Sequence, residues 1–409
     1  MSLQGPVCSS NMEIENIMNA IVNSAQSRVV SVLQSLIRIP SPNPPGDCRQ
    51  IAEFCCRFLR DSGFATELLS PDGRAWSVVG CVGEGDGPTI LYHAHIDTVP
   101  LGKNAQWGED PYAGVIVDGR VYGLGSVDDK ACLAAILQAA ADCVGGAENI
   151  KGRLVVVCAA DEEVGGQLGT KWLVESGYIP RCDFVVVGEQ TRNKMAVANK
   201  GVLRATFHVA GRTAHATDPG RGCNAINGMA HLIVLLEQYE AELGARPQHP
   251  LLGSASINIG VIEGGVSANV VADACAIRVD RRMIPREDPS VVISELQDIV
   301  ALRQMVDPTR VYRVDNFTVS KWFETSTENQ YLERFLAICS AHPGSGSQIV
   351  GYLPGSDAKH LVAVAGQGMV VFGPGSYEVS HATDEYVEIG EVDTTYRILL
   401  EFVRATIVV

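Results

Sequence analysis

The stretch that decides the fold is RLVVVCAADEEVGG (153–166), in which an apolar, β-branched run ends at three acids and two glycines. The same order, a short apolar run followed by a polar residue and a turn, occurs in ILYHAHIDTVP (90–100), CDFVVVGEQ (182–190) and GMVVFGPGSYEVSHATDEY (368–386). Runs such as Leu154–Val157 and Phe184–Val187 are typical of parallel strands that are covered on both faces. Such sheets bind ligands beyond the carboxyl ends of their strands, so the sequence predicts an α/β protein with its functional site there.

Charge, hydropathy and cysteine usage exclude several classes of protein. The formal net charge of −15 opposes binding to nucleic acid or to an anionic membrane surface. No stretch approaches the ~18–20 consecutive apolar residues that a bilayer-spanning helix needs. No basic residue precedes Arg28, so a secretory signal peptide is not expected. Twelve cysteines without a CxxC pair predict reduced, buried thiols in a cytoplasmic protein.

The predicted elements divide the chain into an α/β part and a smaller domain inserted within it. Strands and helices alternate up to Glu189 and again from about residue 325, which is typical of a mostly parallel sheet. Between them the predicted order is β-α-β-β-α-β, and GVLRATFHVAG (201–211) alternates as a half-exposed strand does. We therefore expect a catalytic domain formed by residues 12–199 and 319–409, with residues 200–318 as an inserted α+β domain.

The segment HAHID (93–97) places three polar side chains on one side of a predicted strand. By strand alternation His93, His95 and Asp97 share that side. A structural role is the more common one for a lone His-x-Asp pair, and His93 competes with His95 as a ligand. In the functional interpretation His95 binds a metal and Asp97 fixes the tautomer of its imidazole.

Acidic residues follow two further predicted elements. Asp128 comes after the turn Gly123-Leu124-Gly125, at the predicted start of a helix, where N-capping is the alternative explanation. Asp161, Glu162 and Glu163 directly follow an apolar strand, and a solvated acidic cluster is the alternative there. Because adjacent residues of an extended chain point in opposite directions, we expect one glutamate to ligate metal and the other to transfer protons.

Glu189 closes another apolar run, and His381 lies in the polar loop SHATDEY (380–386). Either residue would be unremarkable alone. Carboxylates that converge from several strand ends repel each other unless a cation lies among them. The mixed nitrogen and oxygen donors of His95, Asp128, one of Glu162 and Glu163, Glu189 and His381 suit zinc, with cobalt or manganese as alternatives. The sequence therefore predicts a metalloenzyme.

Nine motifs carry a resemblance to a known family over nearly the whole chain from about residue 30. They are HIDTVP, GLGSVDDK, DEEVGG, VVGEQT, GRTAHATDPGRGCNA, GGVSANVV, RMIP, GSDA and SHATDEYV. Their order and spacing resemble the co-catalytic metallopeptidases and deacylases that include acetylornithine deacetylase, succinyl-diaminopimelate desuccinylase, carboxypeptidase G and aminoacylase. Leu124, Ala131 and Gln190 depart from the common pattern of that family, but none of them replaces a ligand.

The resemblance implies two divalent metal ions that share one bridging aspartate. One zinc would be held by His95, Asp128 and Glu189, and the other by Asp128, Glu163 and His381. Glu162 matches the general base of the family, and Asp97 matches the aspartate that supports the metal-binding histidine.

The resemblance also implies that the inserted domain contributes to catalysis. His215, in GRTAHATDP (211–219), would stabilise the oxyanion in the active site of a partner subunit, so a homodimer through the inserted domain is expected. Arg282, in RMIP (282–285), would bind the substrate carboxylate, whereas Arg281 is expected on the opposite face of the strand. Asn269 and Gly355 match positions that line the substrate.

These features predict a metal-dependent hydrolase that removes the acyl group from a small N-acyl amino acid. A dipeptidase or carboxypeptidase is the alternative, because the same metals cleave either amide. A non-catalytic metal-binding protein would require a missing base or ligand, and all are present. Nucleotide binding at Gly123-x-Gly125 is disfavoured, because no third glycine follows at the dinucleotide spacing.

Overall fold

A computed structural model describes residues 28–102, 106–146, 149–343, 345 and 348–408. The helices are α1 (residues 28–37), α2 (Arg49–Asp61), α3 (Lys130–Gly145), α4 (Thr170–Glu175), α5 (Ala225–Ala245), α6 (Pro289–Val306), α7 (Gln330–Ala341), α8 (Ala358–Leu361) and α9 (Ile389–Ile407). The predicted domain start at residue 12 lies outside the described residues.

The strands are short and mostly follow the predicted apolar runs. They are β1 (Ala65–Leu69), β2 (Ser77–Val82), β3 (Thr89–His95), β4 (Val115–Val117), β5 (Arg120–Tyr122), β6 (Arg153–Ala159), β7 (Phe184–Val187), β8 (Met195–Asn199), β9 (Gly201–Ala210), β10 (Ser256–Gly264), β11 (Ala274–Met283), β12 (Val311–Ser320), β13 (Phe323–Glu324), β14 (Ile349–Tyr352), β15 (Met369–Val371) and β16 (Tyr386–Glu388).

The chain forms two compact units. The second unit consists of Ala198–Glu324 and Gly351–Gly355, and the first unit contains the other described residues. The predicted inserted domain, residues 200–318, ends six residues before the second unit's main segment does. The bounds of the inserted domain stay a prediction.

The first unit is built on a sheet whose strands run in the order β1-β2-β6-β3-β7-β15-β8. The pairs β6–β3, β3–β7 and β7–β15 are parallel, whereas β1–β2, β2–β6 and β15–β8 are antiparallel. All four residues of β7 are buried, as expected of a strand covered on both faces. The predicted fold class, a mixed α/β protein with a mostly parallel central sheet, is confirmed.

Aromatic side chains join the sheet of the first unit to its helices. The ring of Phe402 in α9 lies 5.8 Å from that of Phe184 in β7 and 4.9 Å from that of Phe335 in α7, centroid to centroid. All three residues are fully buried. A tightly packed core of this kind gives the loops at the strand ends a rigid base.

The second unit has the predicted order β-α-β-β-α-β. Its four strands form an antiparallel sheet in the order β10-β11-β9-β12, with α5 and α6 packed on it. Buried residues alternate along β9, because one face meets the helices. The Asn224 side chain caps α5 by accepting the N–H groups of Ile226 and Asn227.

The short strands β16, β5 and β4 form a separate antiparallel sheet in that order. The eleven cysteines from Cys48 to Cys339 in the described residues are free thiols, and nine of them are buried. Among the described residues, no helix combines the length and apolarity needed to cross a membrane.

Candidate metal centre

The last residue of β3, His95, points its two ring nitrogens at different partners. Its Nε2 lies 2.9 Å from Oδ1 of Asp128. Its Nδ1 lies 3.0 Å from the main-chain oxygen of Asp97 and 3.6 Å from the Oδ1 of that residue. With Nδ1 donating to Asp97, Nε2 is the nitrogen available as a ligand atom.

Asp128 joins two histidines rather than capping a helix. Helix α3 begins at Lys130, and Asp129 is the residue at its N-cap, without a capping side-chain hydrogen bond. The capping explanation for Asp128 is therefore wrong. Its Oδ1 faces His95, whereas its Oδ2 lies 3.3 Å from Nε2 of His381.

The three acids after β6 were expected to continue the strand, but the chain turns there. Asp161 adopts a left-handed φ of 75°, and Glu162–Val164 form a turn of 3-10 helix that ends at Gly165. The assumption of extended backbone there was wrong, because the chain turns at Asp161. The two glutamates nevertheless have different partners: Glu163 Oε2 lies 3.2 Å from His381 Nε2, and Glu162 Oε1 lies 3.4 Å from Lys359 Nζ.

Two groups of side chains, with Asp128 common to both, have the spacing of metal ligands. The groups are His95, Asp128 and Glu189, and Asp128, Glu163 and His381. Within each group, one ligand atom per residue lies within 4.8 Å of the others. Strands β3, β6 and β7 end at or shortly before His95, Glu163 and Glu189, which explains how these three residues meet, whereas Asp128 and His381 come from loops.

The electrostatics of the two groups fit a cation. Burial, reinforced by the charges of Asp128 and Asp129, raises the pKa of Glu189 well above its usual value. Burial and the nearby Asp128 also raise the pKa of Glu163. Hydrogen bonds to Asp128 and Glu163 raise the pKa of His381 to about 10. Clustered carboxylates with two imidazoles among them form a donor set suited to divalent transition metals.

Glu162 stands beside the two groups without belonging to either. Burial, followed by the charge of Asp357, raises its pKa to about 7, although Lys359 acts in the opposite direction. A carboxyl group with a pKa near neutrality can both accept and return a proton at physiological pH.

The carboxylate of Asp97 holds three segments of the chain together. It accepts the N–H groups of Glu162 and Glu163, both at 3.2 Å. It also accepts the side-chain amide of Asn43 at 3.0 Å. Asp97 is fully buried, so this contact set fixes the turn after β6 relative to His95.

His93, the competing ligand, belongs to neither group. Its Nε2 lies 2.8 Å from Oγ1 of Thr170 and 3.4 Å from Oδ2 of Asp357. His95 lies two residues further along β3, at the end of the strand, and it is therefore His95 and not His93 that reaches Asp128.

Sequence reasoning missed several residues that support the site. Glu385 is buried and accepts the N–H groups of Gly125, Val127 and Asp128, so it shapes the turn that presents the shared aspartate. Glu385 lies in the SHATDEY loop, but nothing in its spacing distinguishes it from Asp384. Asn43 and Lys359 follow no strand, and no local pattern singles them out.

Two predicted site residues of the second unit, His215 and Arg282, each contact a residue two positions away in the chain. His215 is exposed, and its Nδ1 accepts the Thr217 main-chain N–H at 3.2 Å. Arg282 pairs with Asp280 at 2.6 Å and has a side chain 34% exposed. Its neighbour Arg281 is fully buried and bound to Glu287, as expected for the opposite strand face.

Two further predicted positions of the second unit lie in loops. Asn269 is exposed, and its Oδ1 accepts the hydroxyl of Ser267 at 2.6 Å. A Cβ built on Gly355 would meet no atom of the described residues within 4 Å.

Comparison with known proteins agrees with this architecture. The sequence profile of Peptidase family M20/M25/M40 matches residues 91–405, and the chain belongs to that family. The chain is therefore a metallohydrolase that acts on amides, in a family of dinuclear metal enzymes. The metal-ligand geometry described above lies within the matched residues.

Relatives and solved structures extend over most of the chain. It is 32% identical over 343 residues to the acetylornithine deacetylase of Myxococcus xanthus, covering 82% of this chain and 83% of that protein. It is 27% identical over 360 residues to the acetylornithine deacetylase of Proteus mirabilis, covering 87% and 89%. A tripeptidase structure from Staphylococcus aureus matches with a TM-score of 0.74 at 21% identity, covering 93% of this chain and 98% of that chain.

A second solved structure has the same fold. It is a dinuclear metal-binding M20 peptidase from Bacillus subtilis, with a TM-score of 0.68 at 16% identity, covering 94% of this chain and 99% of that chain.

Proposed function

We propose that this protein removes the acyl group from a small N-acyl amino acid, as acetylornithine deacetylase or succinyl-diaminopimelate desuccinylase does. The observation that carries the proposal is the pair of ligand groups sharing Asp128, with the carboxyl group of Glu162 beside them. Relatives named acetylornithine deacetylase, which match more than four-fifths of the chain, support the choice of substrate class.

The ligand groups would hold two divalent ions, of which zinc suits the mixed donors best, with cobalt or manganese as alternatives. His95, Asp128 and Glu189 would hold one ion, and Asp128, Glu163 and His381 the other. When bound, such ions polarise an amide carbonyl and bring the pKa of water towards neutrality. Asp97 keeps the imidazole of His95 in a fixed orientation by accepting a hydrogen bond from its Nδ1.

Glu162 transfers the protons in this proposal. Its carboxylate takes a proton from the attacking water molecule, whose oxygen bonds to the amide carbon. It then returns that proton to the leaving nitrogen as the carbon–nitrogen bond breaks. One group therefore acts as base and then as acid.

His215 would stabilise the oxyanion in the active site of a second copy of the chain. Its Nδ1 accepts a main-chain N–H, which leaves the ring proton on Nε2 in the neutral tautomer. An N–H donor aimed at a developing oxyanion typically contributes about 3–4 kcal/mol to catalysis. This role requires a homodimer formed through the second unit.

Three other residues of the second unit would recognise the substrate. Arg282 would bind the substrate carboxylate, because a planar guanidinium matches its two oxygens. Asn269 and Gly355 would line the remainder of the substrate, the first as a hydrogen-bonding group and the second by leaving space. A small-molecule substrate and a cytoplasmic location complete the proposal, with neither nucleic acid nor a membrane as a partner.

Peptide hydrolysis is the second candidate. Solved structures of a tripeptidase, an aminopeptidase and a carnosine dipeptidase share this fold at TM-scores of 0.74, 0.74 and 0.68. The same ligand groups and the same base would cleave a peptide bond, since both substrates are amides. The two candidates therefore differ in the pocket for the acyl group and not in the chemistry.

A substrate panel separates the two candidates. The purified protein is loaded with zinc or with cobalt, and kcat/KM is measured for N-acetylornithine, N-succinyl-diaminopimelate and simple dipeptides. Deacylation is supported if an N-acyl amino acid is hydrolysed at least about tenfold more efficiently than any dipeptide, a difference of about 1.4 kcal/mol. A preference for dipeptides would replace the proposal with its alternative.

A further inference from the structure

Lys359 is a charged residue that the catalytic scheme above does not use. Its Nζ lies 3.4 Å from Oε1 of Glu162, and the two side chains are only 15% and 14% exposed. Surface ion pairs contribute little because water screens them. A largely buried pair is screened much less, so the position of one partner constrains the other.

The backbone that carries Lys359 is anchored to the interior of the first unit. Asp357, directly before α8, is fully buried and accepts the hydroxyl of Thr170 at 2.5 Å. The same Oδ2 lies 3.4 Å from Nε2 of His93 in β3. The start of α8 is therefore tied to the strand that ends in His95 and to α4.

The opposite side of the ion pair is anchored as well. Glu162 lies in the turn whose main-chain N–H groups bind Asp97, and Asp97 contacts His95. Lys359 is thus anchored through His93 of β3, and Glu162 through Asp97, two residues beyond the end of β3. A glutamate side chain has three rotatable bonds, and a contact on one oxygen removes most of its remaining freedom.

We propose that Lys359 is a positioning residue: by binding Oε1 of Glu162, its ammonium group holds the carboxylate so that Oε2 faces the scissile amide. The role rests on the proposed function of Glu162 as the proton-transferring group. Lys359 contacts Oε1 of Glu162, whereas Oε2 is the oxygen that takes the proton in this proposal, so the loss of Lys359 affects the rate of proton transfer rather than substrate affinity.

The kinetic test compares substitutions of Lys359 in the metal-loaded, full-length protein. Lys359→Met keeps the length of the side chain and removes its charge, and we expect kcat to fall about 10- to 100-fold while KM changes less than about threefold. Lys359→Arg restores the charge and is expected to recover most of kcat. Metal content, measured by mass spectrometry, stays equal to that of the unaltered protein.

Lys171→Met is the matched control. Lys171 lies on α4 in the same unit, contacts Gln167 and Glu175 at the surface, and has a side chain 40% exposed. Its replacement is expected to leave kcat and KM unchanged. If Lys359→Met raises KM with kcat unchanged, or leaves both unchanged, the positioning role is overturned.

A thermal measurement tests the contact without relying on turnover. Lys359→Met is made both in the unaltered protein and in a Glu162→Gln background, with Lys359→Gln as a second variant where Met does not fold. We expect the substitution to lower Tm clearly in the first background and much less in the second, because its charged partner is then missing. Equal losses of Tm would show that the two side chains do not interact.

The two tests separate this inference from the proposed function. If the unaltered protein hydrolyses none of the tested amides, the proposed function fails, while the double-substitution measurement still reports on the contact. If the protein is active, but Lys359→Met leaves kcat unchanged and lowers Tm equally in both backgrounds, only the inference about Lys359 fails.

Discussion

Asp128 is the residue on which the candidate metal centre depends most. Its two oxygens face different histidines, and it belongs to both ligand groups. We expect Asp128→Ala to reduce bound zinc from about two ions per chain to fewer than about 0.5, because neither group keeps three donors. Metal analysis after dialysis against dilute zinc measures this loss.

Glu189→Ala is the comparison for that experiment. Glu189 belongs to one group only, so we expect this variant to retain about one ion per chain. Two tightly bound ions in Asp128→Ala would contradict the shared role of the aspartate.

Glu162 gives a second prediction at the scale of single residues. Glu162→Ala is expected to reduce kcat by at least about 10³-fold, since the general base is removed together with its return of the proton. The metal content is expected to stay intact, because Glu162 is in neither ligand group. Steady-state assays and metal analysis on the same sample check both statements, and turnover that persists would refute the role of Glu162.

At the scale of elements, the site depends on how firmly the strands are held. Phe402 of α9 packs its ring against Phe184 of β7 and Phe335 of α7. We expect Phe402→Ala to lower the free energy of unfolding by about 3–5 kcal/mol, because a fully buried ring leaves a cavity. Chemical denaturation of the metal-loaded protein measures the loss.

Phe402→Leu serves as the control for the size of the cavity. It fills most of the space and is expected to cost clearly less than the alanine variant. A loss below about 1 kcal/mol for Phe402→Ala would show that the aromatic contacts contribute little to holding α9 on the sheet.

The order of elements was predictable because hydrophobic periodicity is local. The apolar runs Leu154–Val157 and Phe184–Val187, expected to be buried strands, lie in β6 and β7. The turn at Glu162–Val164 was not predictable in the same way, since a left-handed Asp161 bends the chain after an otherwise regular strand. Helix α3 likewise begins two residues later than Asp128, where the sequence had suggested its start.

At the scale of the whole molecule, the proposal requires two copies of the chain. If Glu162 of one copy works with His215 of the other, two inactive variants complement each other. A mixed dimer of Glu162→Ala and His215→Ala chains retains one complete site. Equal co-expression with random pairing is expected to give about a quarter of the unaltered activity.

The control for complementation is each variant assayed alone. Both are expected to have less than about a tenth of the unaltered activity, because each lacks one group at every site. A mixture no more active than the average of the separate variants would place His215 in the same chain's site or outside catalysis. Light scattering on the same samples reports whether the protein is a dimer.

The sequence alone determined which residue types stand at the ends of the central strands. A run such as Leu154–Val157 predicts a buried strand from its own composition, and the acids that follow it are then at the ligand-binding edge of the sheet. The family resemblance added the pairing of ligands, and the inserted β-α-β-β-α-β order was readable from alternation.

Only the tertiary structure decided which distant groups meet. Asn43 reaches Asp97, Glu385 holds the turn before α3, and Lys359 binds Glu162. Each contact joins segments that local periodicity treats as unrelated. Hydrophobic patterning depends on neighbours three or four residues away, whereas these hydrogen bonds depend on the packing of the whole sheet, which brings separate loops to one edge.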